Sequence, residues 1–178
     1  MKENELRQAI IDYGKKLVEY HLIQSTWGNI SVRLDDEYFL ITPSGVNYDA
    51  IKLEDIVKIK IEDCSYESKI KPSSEKNMHQ LIYKERKDIG ALVHTHSSNI
   101  QVLAGCHLGL TNNGIDYPCA KYGISSTKKL AENVALIMKD YDGAIMANHG
   151  IVVSGKNLTE AFKNALEAEE AAGEALNI

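Results

Sequence analysis

The spacing of apolar residues predicts a helix near each end of the chain. Leu6, Ile10, Tyr13, Leu17 and Tyr20 recur every three or four residues, which places them on one face of an opening helix. We expect this face to pack into the core. The segment 157–176, "NLTEAFKNALEAEEAAGEAL", is rich in alanine, the strongest helix former, and predicts a long closing helix with acidic and alanine-rich faces.

Shorter apolar segments between these helices predict strands. "GNISVRL" and "YFLIT" contain β-branched and aromatic residues and are separated by the polar "DDE", so they predict a hairpin. From Ile56 to Glu62 apolar and charged side chains alternate, as they do in a half-buried strand. "IGALVH" predicts a buried strand, and "GAIMANHGIVVSG" predicts two strands around a tight Asn-His-Gly turn.

Further helices are predicted between these strands. Ser74 precedes a helical pattern and is expected to cap that helix, with Glu75 in its first turn. "SSNIQVLAG" predicts a short helix closed by Gly105, and residues 126–140 have helical periodicity after a serine. "CSYESKIKPSS" and "GLTNNGIDYPCAKYG" are expected to be loops. We therefore predict an α/β fold with α+β-like three-layer character, in which helices flank a central, mostly antiparallel sheet.

Length and composition narrow the class of protein. The 178 residues suit a single domain spanning 1–178. A net charge of -5 does not favour a nucleic-acid partner. The N-terminal segment lacks the apolar region of a secretory signal, and no run approaches the roughly 18 apolar residues of a membrane span, so we expect a cytoplasmic protein without a membrane partner. Three cysteines without CxxC spacing predict reduced, buried thiols.

The histidines offer candidate metal ligands. His94 and His96 are two apart on a predicted strand, so both side chains project from the same face. That spacing alone also fits two histidines packed on a strand. His149 is held at a turn where Gly150 lets the backbone bend, and Glu75 adds a carboxylate. Three imidazoles and one carboxylate would suit zinc. Three other histidines have no comparable setting and are not predicted as ligands: His21, His79 and His107.

Three turns of small and hydroxyl-bearing residues form a second group of candidates. "STWGNIS", "TPSG" and "PSSE" each fit an ordinary turn. Together their backbone N–H groups and short polar side chains would suit a phosphate dianion. The predicted phosphate-binding residues are Gly28, Asn29, Ser44, Gly45, Ser73 and Ser74.

The order of these motifs is more specific than any one of them. "TWGNISVR", "ITPSG", "KPSSE", "VHTHS", "PCAKY" and "NHGIVVSG" occur in the order, and at similar separations, found in the class II aldolase and adducin-head family, which the sequence resembles over nearly its whole length. The resemblance implies one Zn²⁺ per subunit held by Glu75, His94, His96 and His149, beside a phosphate pocket of the six residues named above. It also implies a cytoplasmic homotetramer with active sites between subunits.

The resemblance further implies an activity. In having a glutamate, Glu75, before the HxH pair, the sequence resembles the aldolases of the family. We therefore expect a class II, metal-dependent aldehyde-lyase that reversibly cleaves L-fuculose 1-phosphate, or a related ketose 1-phosphate, to dihydroxyacetone phosphate and L-lactaldehyde. Glu75 would act as the general base. A methylthioribulose-1-phosphate dehydratase, a pentulose-phosphate 4-epimerase, in which aspartate matches Glu75, and an adducin-like assembly module remain alternatives. The sequence contains no HExxH motif, which argues against a zinc hydrolase.

One segment departs from the family pattern. After Ala104, aldolases of this type have a longer loop with a tyrosine that serves as acid toward the aldehyde oxygen. Here "GCHLGLTNNGID" is shorter and contains no tyrosine. Tyr117 is the nearest substitute by position, and it is the predicted proton donor.

Overall fold

A seven-stranded mixed sheet lies at the centre of the fold in the computed structural model, which describes residues 3–177. The strands are β1 Asn29–Arg33, β2 Tyr38–Ile41, β3 Val57–Lys60, β4 Ala91–Thr95, β5 Leu110–Asn112, β6 Ile115–Tyr117, β7 Cys119–Ala120, β8 Gly143–Met146 and β9 Gly150–Gly155. Their order in the large sheet is β3-β2-β1-β4-β9-β8-β7, and β5 and β6 pair as a separate hairpin. Neighbours are antiparallel except β7 and β8, which are parallel.

Helices cover both faces of this sheet. They are α1 Glu3–Glu19, α2 Lys76–Glu85, α3 Ser98–Gly105, α4 Lys128–Ile137 and α5 Leu158–Leu176. One core lies between the sheet and α1, α3 and α5, and a second lies between the sheet and α2 and α4. Residues of β4 alternate between the two cores: Val93 belongs to the first and Leu92 to the second. The predicted fold class, a mostly antiparallel sheet flanked by helices, is confirmed.

Two local predictions were wrong. Helix α2 begins at Lys76 with Glu75 as its N-cap, so Ser74 does not cap it. Instead the Glu75 backbone N–H donates to the Ser73 hydroxyl at 3.3 Å. The segment "GLTNNGIDYPCAKYG", predicted as a loop, contains β5, β6 and β7. Its first two strands join at Asn113 and Gly114, which both have positive φ, as a tight Asn-Gly hairpin turn requires.

Two further expectations concerned the state of the cysteines and the presence of a membrane-spanning segment. Cys64, Cys106 and Cys119 are free thiols, as predicted, but the expectation of burial was wrong, because Cys106 is exposed and Cys64 and Cys119 are only partly buried. Among residues 3–177, no helix is both long and apolar enough to cross a membrane.

Candidate metal centre

The pairing of β4 with β9 brings three histidines together. His94 lies near the end of β4, His96 follows that strand, and His149 directly precedes β9. Gly150 makes this possible because a Cβ there would lie 2.2 Å from the carbonyl oxygen of Thr95. The ring centroids are 4.5 Å apart for His94 and His96, 5.0 Å for His94 and His149, and 4.8 Å for His96 and His149. One ring nitrogen from each lies within 4.8 Å of the others.

His94 has the orientation of a metal ligand. Its Nδ1–H donates to the carbonyl oxygen of Ile151 at 2.8 Å, so Nε2 of the neutral ring carries the lone pair. Nε2 is buried and faces the carboxylate of Glu75 at 3.0 Å, whereas Nδ1 of His149 is buried without a hydrogen-bond partner among the described residues. A backbone carbonyl that fixes the tautomer of a histidine is a common second contact of zinc ligands. The alternative of histidines satisfied within the core does not account for the unpartnered Nδ1 of His149.

Glu75 points into the same cluster. Its Oε2 lies 3.0 Å from Nε2 of His94, and its Oε1 lies 3.4 Å from Nε2 of His149. The carboxylate is also held from behind. The Asn29 amide donates to Oε2 at 3.3 Å, and the Ser125 hydroxyl donates to Oε1 at 3.1 Å. The structure therefore brings together all four residues predicted as metal ligands.

The protonation states also suit a cation. Burial raises the pKa of Glu75, but the adjacent His94 and His149 imidazoles and the Asn29 amide outweigh it and leave that pKa well below its usual range. Burial and repulsion from His94 lower the pKa of His96 to about 3 and that of His149 to about 4. Burial also opposes charge on His94, yet the carboxylate of Glu75 raises its pKa. An anionic carboxylate beside the neutral imidazoles of His96 and His149 suits a zinc site, and zinc binding would displace a proton from His94.

The three predicted phosphate turns meet at one end of β1, β2 and α2. Pro43 and Pro72 form an isolated antiparallel bridge between two of them. On either side of this bridge, the Ser44 N–H donates to the carbonyl of Lys71 at 2.9 Å, and the Ser73 N–H donates to that of Thr42 at 3.0 Å. A cavity of about 720 Å³ opens here. Its walls include Gly28, Asn29, Ser44, Gly45, Ser73 and Ser74 together with Glu75, His96 and His149.

Gly28 and Gly45 both have positive φ, but their surroundings differ. At Gly28 (φ +88°) a Cβ would lie 2.7 Å from the carbonyl oxygen of His94 and 2.6 Å from Cγ2 of Ile23. At Gly45 (φ +71°) a Cβ would meet no atom of the described residues within 4 Å. The first glycine is therefore required by both conformation and space, and the second by conformation alone.

We expect Gly28→Ala to lower the free energy of unfolding more than Gly45→Ala does. Gly45→Ala should cost about 1–2 kcal/mol, because only left-handed backbone strain is added. Gly28→Ala adds steric overlap of about 1–3 kcal/mol to that strain. Urea denaturation followed by circular dichroism measures both. Equal losses in the two variants would contradict the close approach of Gly28 to His94.

Sequence reasoning missed several residues of this cavity. Ser125, Trp27, Gln101, Tyr122 and Asn148 also line it. Trp27 and Tyr122 belong to quoted motifs but had no assigned role, and Ser125 lies in the hydroxyl-rich "SST". Asn148 likewise belongs to the quoted motif "NHGIVVSG" without an assigned role, and Gln101 comes from α3, where no local pattern placed it at the cavity.

Tyr117 does not fit the predicted role of proton donor. It pairs with Leu110 in the β5–β6 hairpin, and its side chain is buried in the core beneath α1, α3 and α5. Its ring packs so closely on Gly143 that a Cβ there would lie 2.6 Å from Cδ1 of the tyrosine. Tyr117 is not among the described residues that form the cavity wall. The departure from prediction arises because closeness along the chain does not fix the direction of a side chain.

The chain is similar to known proteins over nearly its whole length. The Class II Aldolase and Adducin N-terminal domain matches residues 8–176. A 5-deoxy-D-ribulose 1-phosphate aldolase of Bacillus thuringiensis serovar kurstaki is 36% identical over 173 residues, which cover 92% of this chain and 80% of that protein. An L-fuculose phosphate aldolase of Haemophilus influenzae is 36% identical over 177 residues, which cover 95% of this chain and 81% of that protein. A solved structure of an L-fuculose 1-phosphate aldolase has a TM-score of 0.92 and 37% identity, and the match covers 97% of this chain and 85% of that one.

Proposed function

The chain belongs to the class II aldolase and adducin N-terminal domain family and is an aldehyde-lyase, and from this premise we propose that it reversibly cleaves L-fuculose 1-phosphate or a related ketose 1-phosphate. The products would be dihydroxyacetone phosphate and, from L-fuculose 1-phosphate, L-lactaldehyde. One observation carries the proposal. Glu75 and three imidazoles converge beside a cavity whose other wall consists of three turns suited to a phosphate.

The names of the relatives support the substrate class. One is an aldolase of 5-deoxy-D-ribulose 1-phosphate and another an aldolase of L-fuculose phosphate. Such substrates share a phosphorylated ketone half and differ in the aldehyde half. A fixed phosphate cradle with a variable aldehyde side would serve both.

The six residues of the three turns are proposed to hold the phosphate. Gly28 and Gly45 expose backbone N–H groups in turns of positive φ, and Ser44, Ser73 and Ser74 can donate hydroxyl hydrogen bonds. Asn29 is buried at the start of β1 and already donates to Glu75, so it joins the phosphate side of the cavity to the carboxylate. Holding the phosphate here would fix the ketone half before reaction.

The metal ligands are proposed to be Glu75, His94, His96 and His149, with one Zn²⁺ per subunit. When bound, the ion supplies Lewis acidity that stabilises negative charge developing on the ketone oxygen. In the addition direction Glu75 would accept a proton from the hydroxymethyl carbon of dihydroxyacetone phosphate. In cleavage it would return the proton to the same carbon. The hydrogen bonds from Asn29 and Ser125 would keep its carboxylate in place.

A homotetramer with active sites completed by a neighbouring subunit is part of the proposal, as is a cytoplasmic location. Large apolar side chains at and near the cavity are exposed in the single chain: Trp27 and Tyr122 by 57% each and Ile124 by 67%. Exposed apolar surface of this kind favours contact with another protein surface. Analytical ultracentrifugation measures the state, and a monomer at micromolar concentration would contradict this part.

The proposed activity is tested by incubating zinc-loaded protein with L-fuculose 1-phosphate or 5-deoxy-D-ribulose 1-phosphate. We expect dihydroxyacetone phosphate in a coupled assay, and NMR of the mixture should show the matching aldehyde. A changed configuration with the carbon chain intact would indicate an epimerase instead, and loss of water a dehydratase. Failure to bind zinc or to transform any phosphorylated ketose would favour an adducin-like assembly role.

A further inference from the structure

A buried chain of hydrogen bonds runs from the core to the carboxylate of Glu75. The hydroxyls of Tyr83 and Ser31 lie 2.9 Å apart, and the Ser31 hydroxyl lies 2.6 Å from Nδ1 of His79. Nε2 of His79 lies 2.5 Å from Oδ1 of Asn29, whose amide nitrogen lies 3.3 Å from Glu75. His79 and Ser31 are fully buried. The sequence assigned no role to His79.

The regular spacing of side chains on α2 and on β1 produces this chain of hydrogen bonds. Glu75, His79 and Tyr83 are four residues apart at the start of α2 and along it, so they lie on one side of the helix. Asn29 and Ser31 are two residues apart on β1, so they project from the same face of the sheet. This side of α2 packs against this face of β1. Successive members of the hydrogen-bonded chain therefore come alternately from α2 and from β1.

The carboxylate sets the direction of every bond. A carboxylate only accepts, so Asn29 must present its amide N–H to Glu75 and its Oδ1 to His79. Nε2 of His79 must then carry the hydrogen and donate to Oδ1. Nδ1 is left as an acceptor for the Ser31 hydroxyl, whose oxygen in turn accepts from Tyr83. Each member of the chain thus has one orientation that satisfies both neighbours.

We propose that His79 is a positioning residue that, as the Nε2–H tautomer, locks the Asn29 amide so that its N–H faces Glu75. Rotation of that amide by half a turn would bring Oδ1 against the carboxylate and repel it from the ligand cluster. His79 and Ser31 prevent this, because no solvent reaches them to replace a lost partner. This inference rests on the proposed function, since it assigns Glu75 to the metal centre.

The variants His79→Phe and His79→Gln test the role. Phenylalanine fills the space but cannot donate to Asn29, whereas the glutamine amide can. We expect His79→Phe to raise the zinc Kd about 10- to 100-fold and His79→Gln to restore most of that loss. The Kd is measured by competition with a chromogenic chelator on protein shown to be folded by circular dichroism. Gln80→Met is the matched control, because it removes a buried hydrogen bond from α2 to the carbonyl of Ile61, and it should leave the Kd unchanged.

The tautomer of His79 gives an independent measurement. Long-range ¹H–¹⁵N correlation spectra of the whole protein should show the Nε2–H form, and Ser31→Ala should allow the other form to appear and weaken zinc binding. Ser31→Ala also carries the test if His79→Phe does not fold. An Nδ1–H tautomer in the unaltered protein, or wild-type zinc affinity in His79→Phe, would overturn the inference. Failure of the unaltered protein to cleave any ketose phosphate would count against the proposed function alone, because affinity and tautomer are read without substrate.

Discussion

Replacement of Glu75 by glutamine is expected to lower kcat for cleavage by roughly 10²- to 10⁴-fold, the range that loss of a general base produces. The variant keeps the shape of the side chain and one acceptor oxygen, but it cannot take up a proton. The structure positions this carboxylate for proton transfer, because it is 6% exposed and its Oε2 lies 3.0 Å from Nε2 of His94. Two hydrogen bonds, from Asn29 and Ser125, also fix it in place.

Hydrogen exchange into dihydroxyacetone phosphate alone tests proton removal by Glu75 separately from carbon-carbon bond formation. In D₂O, zinc-loaded protein should exchange a hydroxymethyl hydrogen of dihydroxyacetone phosphate for deuterium without any aldehyde present. Glu75→Gln should lose this exchange, whereas Glu132→Gln, which alters an exposed carboxylate paired with Lys128 on α4, should retain it. Continued exchange at the wild-type rate in Glu75→Gln would assign the proton transfer to another group.

The sequence was most informative where the spacing of apolar residues within one element is enough to identify the helix or strand and its buried face. The stripe along α1 and the alternation in β3 identified the buried face of each element, but the prediction was wrong for Tyr20, which follows α1 and is 53% exposed. The neighbouring rings of His94 and His96 follow from their separation by two residues at the end of β4. By contrast, β5, β6 and β7 have three residues or fewer, which is too short for a period to be recognised.

Contacts between distant segments were beyond such reasoning. Glu75 reaches the histidines because α2 packs against the sheet beside β1, and no local pattern in the sequence predicts that packing. Ser125 lies 50 residues from Glu75 and donates to it from the segment before α4. The chain through His79 depends on a helix side meeting a strand face. A buried histidine four residues after Glu75 has no distinguishing pattern until both elements are placed.

His149→Asn is expected to raise the zinc Kd by roughly 100-fold or more, beyond the effect of losing a second contact, and to abolish cleavage at limiting zinc. His149 is the most informative of the proposed ligands to replace. His94 is fully buried, so its loss would also leave a void in the core, whereas the side chain of His149 is 10% exposed at a turn. Asparagine is compatible with such a turn and is too short to reach the other ligands.

Thermal unfolding with and without zinc distinguishes lost binding from lost folding. A ligand present at 100 times its Kd stabilises the folded state by about 2.7 kcal/mol, so zinc should raise the Tm of the unaltered protein. The same zinc concentration should leave the Tm of His149→Asn nearly unchanged, because most of that variant stays metal-free. His21→Asn is the control: His21 is exposed with φ of +57°, a conformation that asparagine accepts, so this variant should respond to zinc as the unaltered protein does. An equal zinc-dependent rise in Tm for His149→Asn would show that the ion binds elsewhere, and the convergence of the four ligands would then have no role in holding it.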